Sequence, residues 1–184
     1  MKRVVICAAA LLMLTGCKST PVREYDDGWR EAYAQILRGT TAKRFSLIYV
    51  DNDDIPELTL HWSDAGLASR EDHPTFYIYN SMGAAENMGS IGDGGFDRFS
   101  YLDHKGIILS GYSEAGSRFA NYMRLENDTL TAEHELRYDE SGCIEIGGGN
   151  GEAVAAHYER QQIHTTTGEY AVSEDNILNF VLGQ

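Results

Sequence analysis

Apolar positions along the chain first follow the period of a helix and then that of strands. The helical stripe comprises Trp29, Tyr33, Ile36 and Leu37. These residues recur every three or four positions, as on one face of a helix. Asp26 or Asp27 is suited to cap the first turn, and Gly39 is suited to end the helix. The pattern therefore predicts a helix near the start of the globular body.

From residue 45 onward, apolar positions mostly alternate with polar ones. The predicted strands lie at 45–50, 58–62, 75–80, 86–90, 99–102, 107–110, 119–125 and 129–138. In the last strand, one face carries Leu130, Ala132, His134, Leu136 and Tyr138. In the second, Thr59 and His61 alternate with three apolar residues, Leu58, Leu60 and Trp62. Successive side chains of a strand point to opposite faces, so we expect an antiparallel sheet with one wet side.

Two more helices are predicted near the end of the chain. One follows a glycine run and covers residues 152–162, and the other begins at Ser173, a good capping residue. The last helix would bury Ile177, Leu178, Phe180 and Val181. The predicted fold class is therefore α+β: an antiparallel β-meander sheet with an N-terminal and a C-terminal helix. A small β-barrel or a β-sandwich is the alternative.

The first residues are typical of a secretion signal. Lys2 and Arg3 precede an apolar run at residues 4–14. That run is much shorter than the ~20 residues that a membrane-spanning helix needs. A basic head, a short apolar core and small residues before a cleavage point indicate export.

The apolar run ends with residues 14–17, which read LTGC. This tetrapeptide resembles the lipobox of bacterial lipoproteins, in which the cysteine is acylated and becomes the first residue after cleavage. The resemblance implies a signal peptide at 1–16, a lipidated tether at 17–24 with the lipid on Cys17, and a single globular domain at 25–184. It also implies an extracytoplasmic protein anchored by lipid to the cell membrane or the outer membrane.

Charge and cysteine content narrow the choice of partners. Without residues 1–16, the chain keeps 28 acidic and 13 basic residues. An acidic chain without a basic stripe repels nucleic acid, so we expect no nucleic-acid partner. Cys7 leaves with the leader and Cys17 carries lipid, so Cys143 has no partner for an internal disulfide.

Residues 49–58 read YVDNDDIPEL and place four carboxylates between two apolar runs. Short calcium loops follow the frame D-x-D-x-D-G-x-x-[DE], which directs side-chain oxygens at alternate positions toward one ion. Glu57 as position nine makes Asp53 position five, Asp51 position three and Tyr49 position one. Asp54 stands where the frame has glycine. Asp51, Asp53 and Glu57 are therefore the candidate ligands of a structural calcium ion.

The sequence favours an acidic turn over a calcium site. In that interpretation the aspartates accept hydrogen bonds from loop amides, and Pro56 stiffens the exit from the loop. A calcium ion held in this loop would be structural, because calcium with protein oxygen ligands does little chemistry by itself.

Residues 45–58 also resemble the strand–loop–strand unit of uncharacterised secreted bacterial lipoproteins with a DxDGDGIPEL-type acidic loop. The unit is similar as well to the calcium loop of integrin-type propeller repeats. A propeller needs several repeats and this chain has one, so we reject that fold. The lipoprotein resemblance implies no activity.

Catalytic motifs are incomplete. Residues 111–115, GYSEA, approach the G-x-S-x-G elbow around Ser113, but no helix pattern follows. The glycine run at 147–151 lacks the G-K-[ST] ending of a P-loop. His134 lacks a second histidine at zinc-site spacing and is expected to be a hydrogen-bonded core histidine.

The sequence therefore favours a membrane-anchored, non-catalytic binding or scaffolding module. Its partner would be an envelope protein, a glycan or a peptide. The alternative is a secreted hydrolase that acts on envelope polymers through carboxylates brought together from distant parts of the chain. A cleft with convergent titratable groups would favour the hydrolase.

Overall fold

The computed structural model describes residues 27–62, 74–91, 99–140, 142–166 and 168–184. Its helices are α1 (Gly28–Gly39), α2 (Gly151–Glu159) and α3 (Glu174–Asn176), and α3 continues into a π-helical segment (Ile177–Leu182). Its strands are β1 (Arg44–Ile48), β2 (Glu57–His61), β3 (Thr75–Tyr79), β4 (Ala85–Ser90), β5 (Phe99–Leu102), β6 (Ile107–Glu114), β7 (Ser117–Glu126), β8 (Thr129–Asp139), β9 (Gly142–Glu145), β10 (Ile163–Thr166) and β11 (Tyr170–Ala171). The predicted signal peptide, the tether and Cys17 lie outside the described residues.

The strands form two antiparallel sheets. The first sheet has the order β11-β1-β2-β3-β4, and the second sheet has the order β10-β5-β6-β7-β8-β9. Each sheet has two edge strands, so neither closes into a barrel. The α+β class with helices at both ends is confirmed, although the strands divide into two sheets instead of one. No helix in the described ranges is long and apolar enough to cross a membrane.

Three apolar clusters hold four layers together, in the order helices, first sheet, second sheet, helix. Between the first sheet, α1 and the π-helical segment lie Trp29, Tyr33, Leu37, Phe45, Leu58, Leu60, Ile177 and Val181. Between the two sheets lie Ile48, Phe76, Ile78, Ile108 and Leu125. Between the second sheet and α2 lie Leu102, Ile107, Tyr122, Leu136, Ala155 and Tyr158. Each sheet therefore buries apolar side chains on both of its faces.

Helix α1 ends at Gly39 as predicted, but its start differs from the predicted cap. Asp27 occupies the N-cap position without a capping hydrogen bond from its side chain. Its carboxylate instead lies 3.4 Å from Nε of Arg30, one turn along the helix. Asp26 lies outside the described residues.

Strand β2 does not have the predicted wet side. All five of its residues are buried. Thr59 and His61 are fully buried, and the backbone of Gly168, between β10 and β11, packs against the ring of His61. Their side chains satisfy each other, with 3.1 Å between Oγ1 of Thr59 and Nε2 of His61. Trp62 lies just past the strand and is 40% exposed.

The prediction that Leu130, Leu136 and Tyr138 share one face of β8 is also wrong. The pairing register shifts between Tyr122 and Met123 of the neighbouring strand β7. Leu130, before the shift, packs between the two sheets, whereas Leu136 and Tyr138, after it, pack on the side of α2. A bulge adds one residue to a strand and thereby exchanges its two faces.

The C-terminal helix follows its prediction in part. The hydroxyl of Ser173 accepts a backbone hydrogen bond of 3.3 Å in the first turn. Ile177 and Val181 are buried, whereas Phe180 is 44% exposed and stacks on Tyr170 with 3.9 Å between ring centroids. No strand was predicted at β9, β10 or β11, which are two to four residues long.

Gly106 joins the two sheets at the end of β1. Its amide donates to the carbonyl of Val50 at 2.7 Å, and its carbonyl accepts from the amide of Leu125 at 2.7 Å. Its φ is +70°, and a Cβ placed there would lie 2.7 Å from the carbonyl oxygen of Leu125. Only glycine fits, because the backbone that it meets is held in the sheet.

We expect Gly106→Ala to destabilise the fold more than Gly116→Ala. Both glycines have positive φ, but a Cβ at Gly116 meets nothing within 4 Å. Gly116→Ala, the control, should therefore lose only the roughly 1–2 kcal/mol that a left-handed backbone costs alanine. Gly106→Ala should lose this amount and also suffer the clash with Leu125. Urea unfolding followed by circular dichroism measures both. Equal losses would contradict the steric role of Gly106.

Candidate metal centre in the acidic loop

The acidic loop, residues 49–56, connects two paired strands of the first sheet. Ile48 of β1 lies opposite Glu57 of β2, so the loop leaves and re-enters the sheet at neighbouring positions. The carboxylate of Asp51 accepts from the amide of Asp53 at 3.0 Å, and that of Asp53 accepts from the amide of Ile55 at 2.8 Å. These bonds bend the chain as aspartates do in Asx-turns. They match the acidic-turn interpretation of the sequence.

Glu57 closes the loop from inside the protein. It is 4% exposed. Its Oε2 accepts a 2.7 Å hydrogen bond from the amide of Val50, across the base of the loop. Ile55 is buried in the core under α1 and fixes the loop from the other side. The carboxylate of Glu57 is therefore held in place at the inner end of the loop.

The same loop brings the three predicted ligands together. One oxygen from each of Asp51, Asp53 and Glu57 lies within 4.8 Å of the others. Calcium binds oxygen at 2.3–2.6 Å, so two ligand atoms of one ion lie at most about 5 Å apart. The three carboxylates therefore satisfy the distance condition for a shared cation while two of them also shape the turn.

Two other positions of the predicted frame do not belong to the cluster. The ring of Tyr49 stacks on the ring of His104 with 5.4 Å between centroids, and Tyr49 is 41% exposed. Asp54 is exposed and is not one of the three converging carboxylates. The frame therefore keeps its third, fifth and ninth positions and loses the first.

The cluster has a marked electrostatic effect on Glu57. Burial raises the pKa of Glu57 well above its ordinary value, and the negative charges of Asp51 and Asp53 raise it further. The hydrogen bond from the Val50 amide acts in the opposite direction. A buried carboxylate beside two others needs either a proton or a cation to offset its charge.

Nothing in the sequence placed two further side chains, His104 and Tyr33, near the acidic loop. The turn between β5 and β6 contacts the loop through His104, whose amide donates to the carbonyl of Tyr49 and whose Nδ1 lies 3.0 Å from the carbonyl oxygen of Asp51. Tyr33 approaches from α1 and packs in the same core cluster as Ile55. Both come from distant parts of the chain, so only the tertiary fold reveals them.

The remaining candidates do not assemble into a catalytic site among the described residues. Ser113 lies on β6 opposite Arg118 of β7, on a hairpin strand and not at a strand-to-helix elbow. His134 is half-buried, and its Nδ1 lies 2.6 Å from Oε1 of Glu145, so the predicted hydrogen bond is present. Cys143 is a half-buried free thiol on β9.

Protein-family models, curated proteins and solved structures were all compared with the chain, and none of them matches it. The function of the chain is therefore inferred from its own residues.

Burial of Glu57 predicts that the metal-free protein loses stability as the pH rises. A raised folded-state pKa gives stability that is fully present below the unfolded value of about 4.3 and is lost as the pH rises through the folded value. We expect Glu57→Gln to be more stable than wild type at pH 7 in EDTA, and the difference to shrink below about pH 4.

Urea unfolding between pH 4 and 8 measures this effect. Glu126→Gln is the matched control, because Glu126 is exposed at the end of β7. If the unfolding free energies of wild type and Glu57→Gln change in parallel with pH, the raised pKa of Glu57 is contradicted.

Proposed function

We propose that this protein is a lipid-anchored, extracytoplasmic, non-catalytic module whose acidic loop binds a structural calcium ion. Its role is binding or scaffolding at the membrane surface. One observation carries the proposal: Asp51, Asp53 and the buried Glu57 converge within 4.8 Å on a loop that the sheet holds at both ends.

The donor set favours calcium over other metals. All three side chains are carboxylates, which suit hard cations, and neither histidine nor cysteine contributes. Magnesium demands near-ideal octahedral geometry and keeps most of its water, whereas calcium accepts irregular sets of six to eight oxygens. An irregular loop with two half-buried aspartates and one buried glutamate fits the calcium pattern better.

A cation here would stabilise the fold instead of performing chemistry. It would offset the charge that makes ionised Glu57 unfavourable in the interior. It would also fix the loop against the turn that carries His104. Extracellular calcium modules bind with dissociation constants of about 0.1–1 mM, which suits a protein exported to a calcium-containing compartment.

The anchor is supported by the leader and by the LTGC sequence that ends at Cys17. Two or more acyl chains give stable membrane attachment where one chain does not. The folded body would then sit at the membrane surface, with an envelope protein, a glycan or a peptide as its partner. No arrangement in the described ranges favours the hydrolase alternative.

Calcium should raise the thermal midpoint of the wild-type protein. A ligand at a hundred times its dissociation constant adds about 2.7 kcal/mol, which is roughly 5–10 °C for a domain of this size. Asp53→Asn keeps the oxygen that accepts from Ile55 but loses the charge, so we expect most of the shift to disappear. Asp54→Asn, one residue away and outside the cluster, should keep it.

Differential scanning calorimetry in EDTA and in 10 mM calcium makes the comparison. Superimposed wild-type melts would reduce the loop to an acidic turn. An equal loss of the shift in both variants would point to a general charge effect.

Cys17→Ser should abolish the attachment of lipid to the protein. The thiol is the predicted acylation site, and serine cannot form the thioether that precedes cleavage in lipoproteins. After carbonate washing, wild type should remain in the membrane pellet and extract into detergent. The unprocessed variant should incorporate no radiolabelled palmitate, and it should migrate as a larger species because it keeps the leader. Labelling that persists in Cys17→Ser would contradict the proposed anchor.

A further inference from the structure

Tyr33 carries a hydroxyl group that is buried in the protein interior. It lies on the face of α1 that packs against the first sheet, and the side chain is fully buried. Its hydroxyl has no hydrogen-bond partner in the part of the chain that the structure describes. Buried polar groups are nearly always paired, because leaving one unpaired destabilises the fold. Phenylalanine would fill the same space without that cost.

The acidic loop lies close to Tyr33. Tyr33 belongs to the same core cluster as Ile55 of the loop. Burial raises the pKa of Tyr33, and the charges that raise it further are first those of Glu57, Asp53 and Asp51. These are the three converging carboxylates. The three candidate ligands therefore lie near the unpaired hydroxyl of Tyr33.

We propose that Tyr33 is a positioning residue of the cation site, where its hydroxyl hydrogen-bonds a water molecule bound to the ion. This inference rests on the calcium site proposed above. Calcium takes six to eight oxygens, and three carboxylates supply at most six. Oε2 of Glu57 already accepts from the Val50 amide. Water is therefore expected among the ligands, and the phenol oxygen is suited to accept a hydrogen bond from it.

This arrangement couples helix α1 to the metal. Partners outside the first ligand shell orient the ligands, and their loss typically lowers metal affinity by about 10–100-fold. Without the ion, the hydroxyl of Tyr33 has no role, so its removal should not weaken the metal-free fold. When the ion is bound, removal of the hydroxyl should lower the affinity for calcium. The two states of one protein therefore separate a role in metal binding from a role in packing.

The test compares Tyr33→Phe with Tyr158→Phe in the full-length protein, purified from membranes in a mild nonionic detergent. The hydroxyl of Tyr158 donates to Oε2 of Glu133 at 3.1 Å on the far side of the second sheet. Isothermal titration with calcium chloride gives the dissociation constant, and thermal unfolding in EDTA gives the metal-free stability. We expect about tenfold weaker calcium binding for Tyr33→Phe, with an unchanged or higher midpoint in EDTA. Tyr158→Phe should show the reverse: a lower midpoint in EDTA and unchanged calcium affinity.

The outcomes separate the two proposals. If wild type binds no calcium, the metal site itself fails and this inference fails with it. If wild type binds calcium and Tyr33→Phe binds it equally well, the calcium site stands and the role of Tyr33 is overturned. A lower EDTA midpoint with unchanged affinity would assign Tyr33 to the core alone.

Discussion

The burial of strand β2 on both faces is the constraint on which the acidic loop depends. Helix α1 and the π-helical segment cover one face of the first sheet, and the second sheet covers the other. Because the strand begins at Glu57, this packing takes a carboxylate into the interior. The charge of Glu57 is then close to Asp51 and Asp53, and the fold has to offset it. The candidate metal centre is thus a consequence of where the sheet lies, and not of the loop alone.

The loop is also where three of the four layers meet. The first sheet supplies its two ends, α1 contributes Tyr33 from one side, and the turn before β6 contributes His104 and Gly106 from the other. A cation bound here would therefore stabilise contacts between layers as well as the loop itself. Such a link would act where disulfides do not, since the described part of the chain has no disulfide and Cys143 is a free thiol.

The second sheet contributes to two apolar clusters through a bulge in β8. The bulge lies opposite Tyr122 and Met123 of β7, and it turns one end of β8 toward the first sheet and the other end toward α2. One long hairpin thereby contributes to two cores. The long hairpin of β7 and β8 holds the turn that contacts the acidic loop, because the amide of Leu125 donates a hydrogen bond to the carbonyl of Gly106.

The sequence by itself determined the local features of this protein. The spacing of Trp29, Tyr33 and Leu37 predicted α1, alternation predicted most strands, and the loop frame selected Asp51, Asp53 and Glu57. These signals are local, because helix period, strand period and loop spacing are properties of neighbouring residues.

Tertiary structure alone decided which faces are buried and what surrounds the loop. Thr59 and His61 look like residues of a wet face, but both are fully buried in the fold. The bulge in β8 leaves no mark in the alternation of that strand, because it arises from pairing with β7. Tyr33 and His104 come from elements far apart in the chain, and only long-range packing, which no local period encodes, brings them to Asp51 and Glu57.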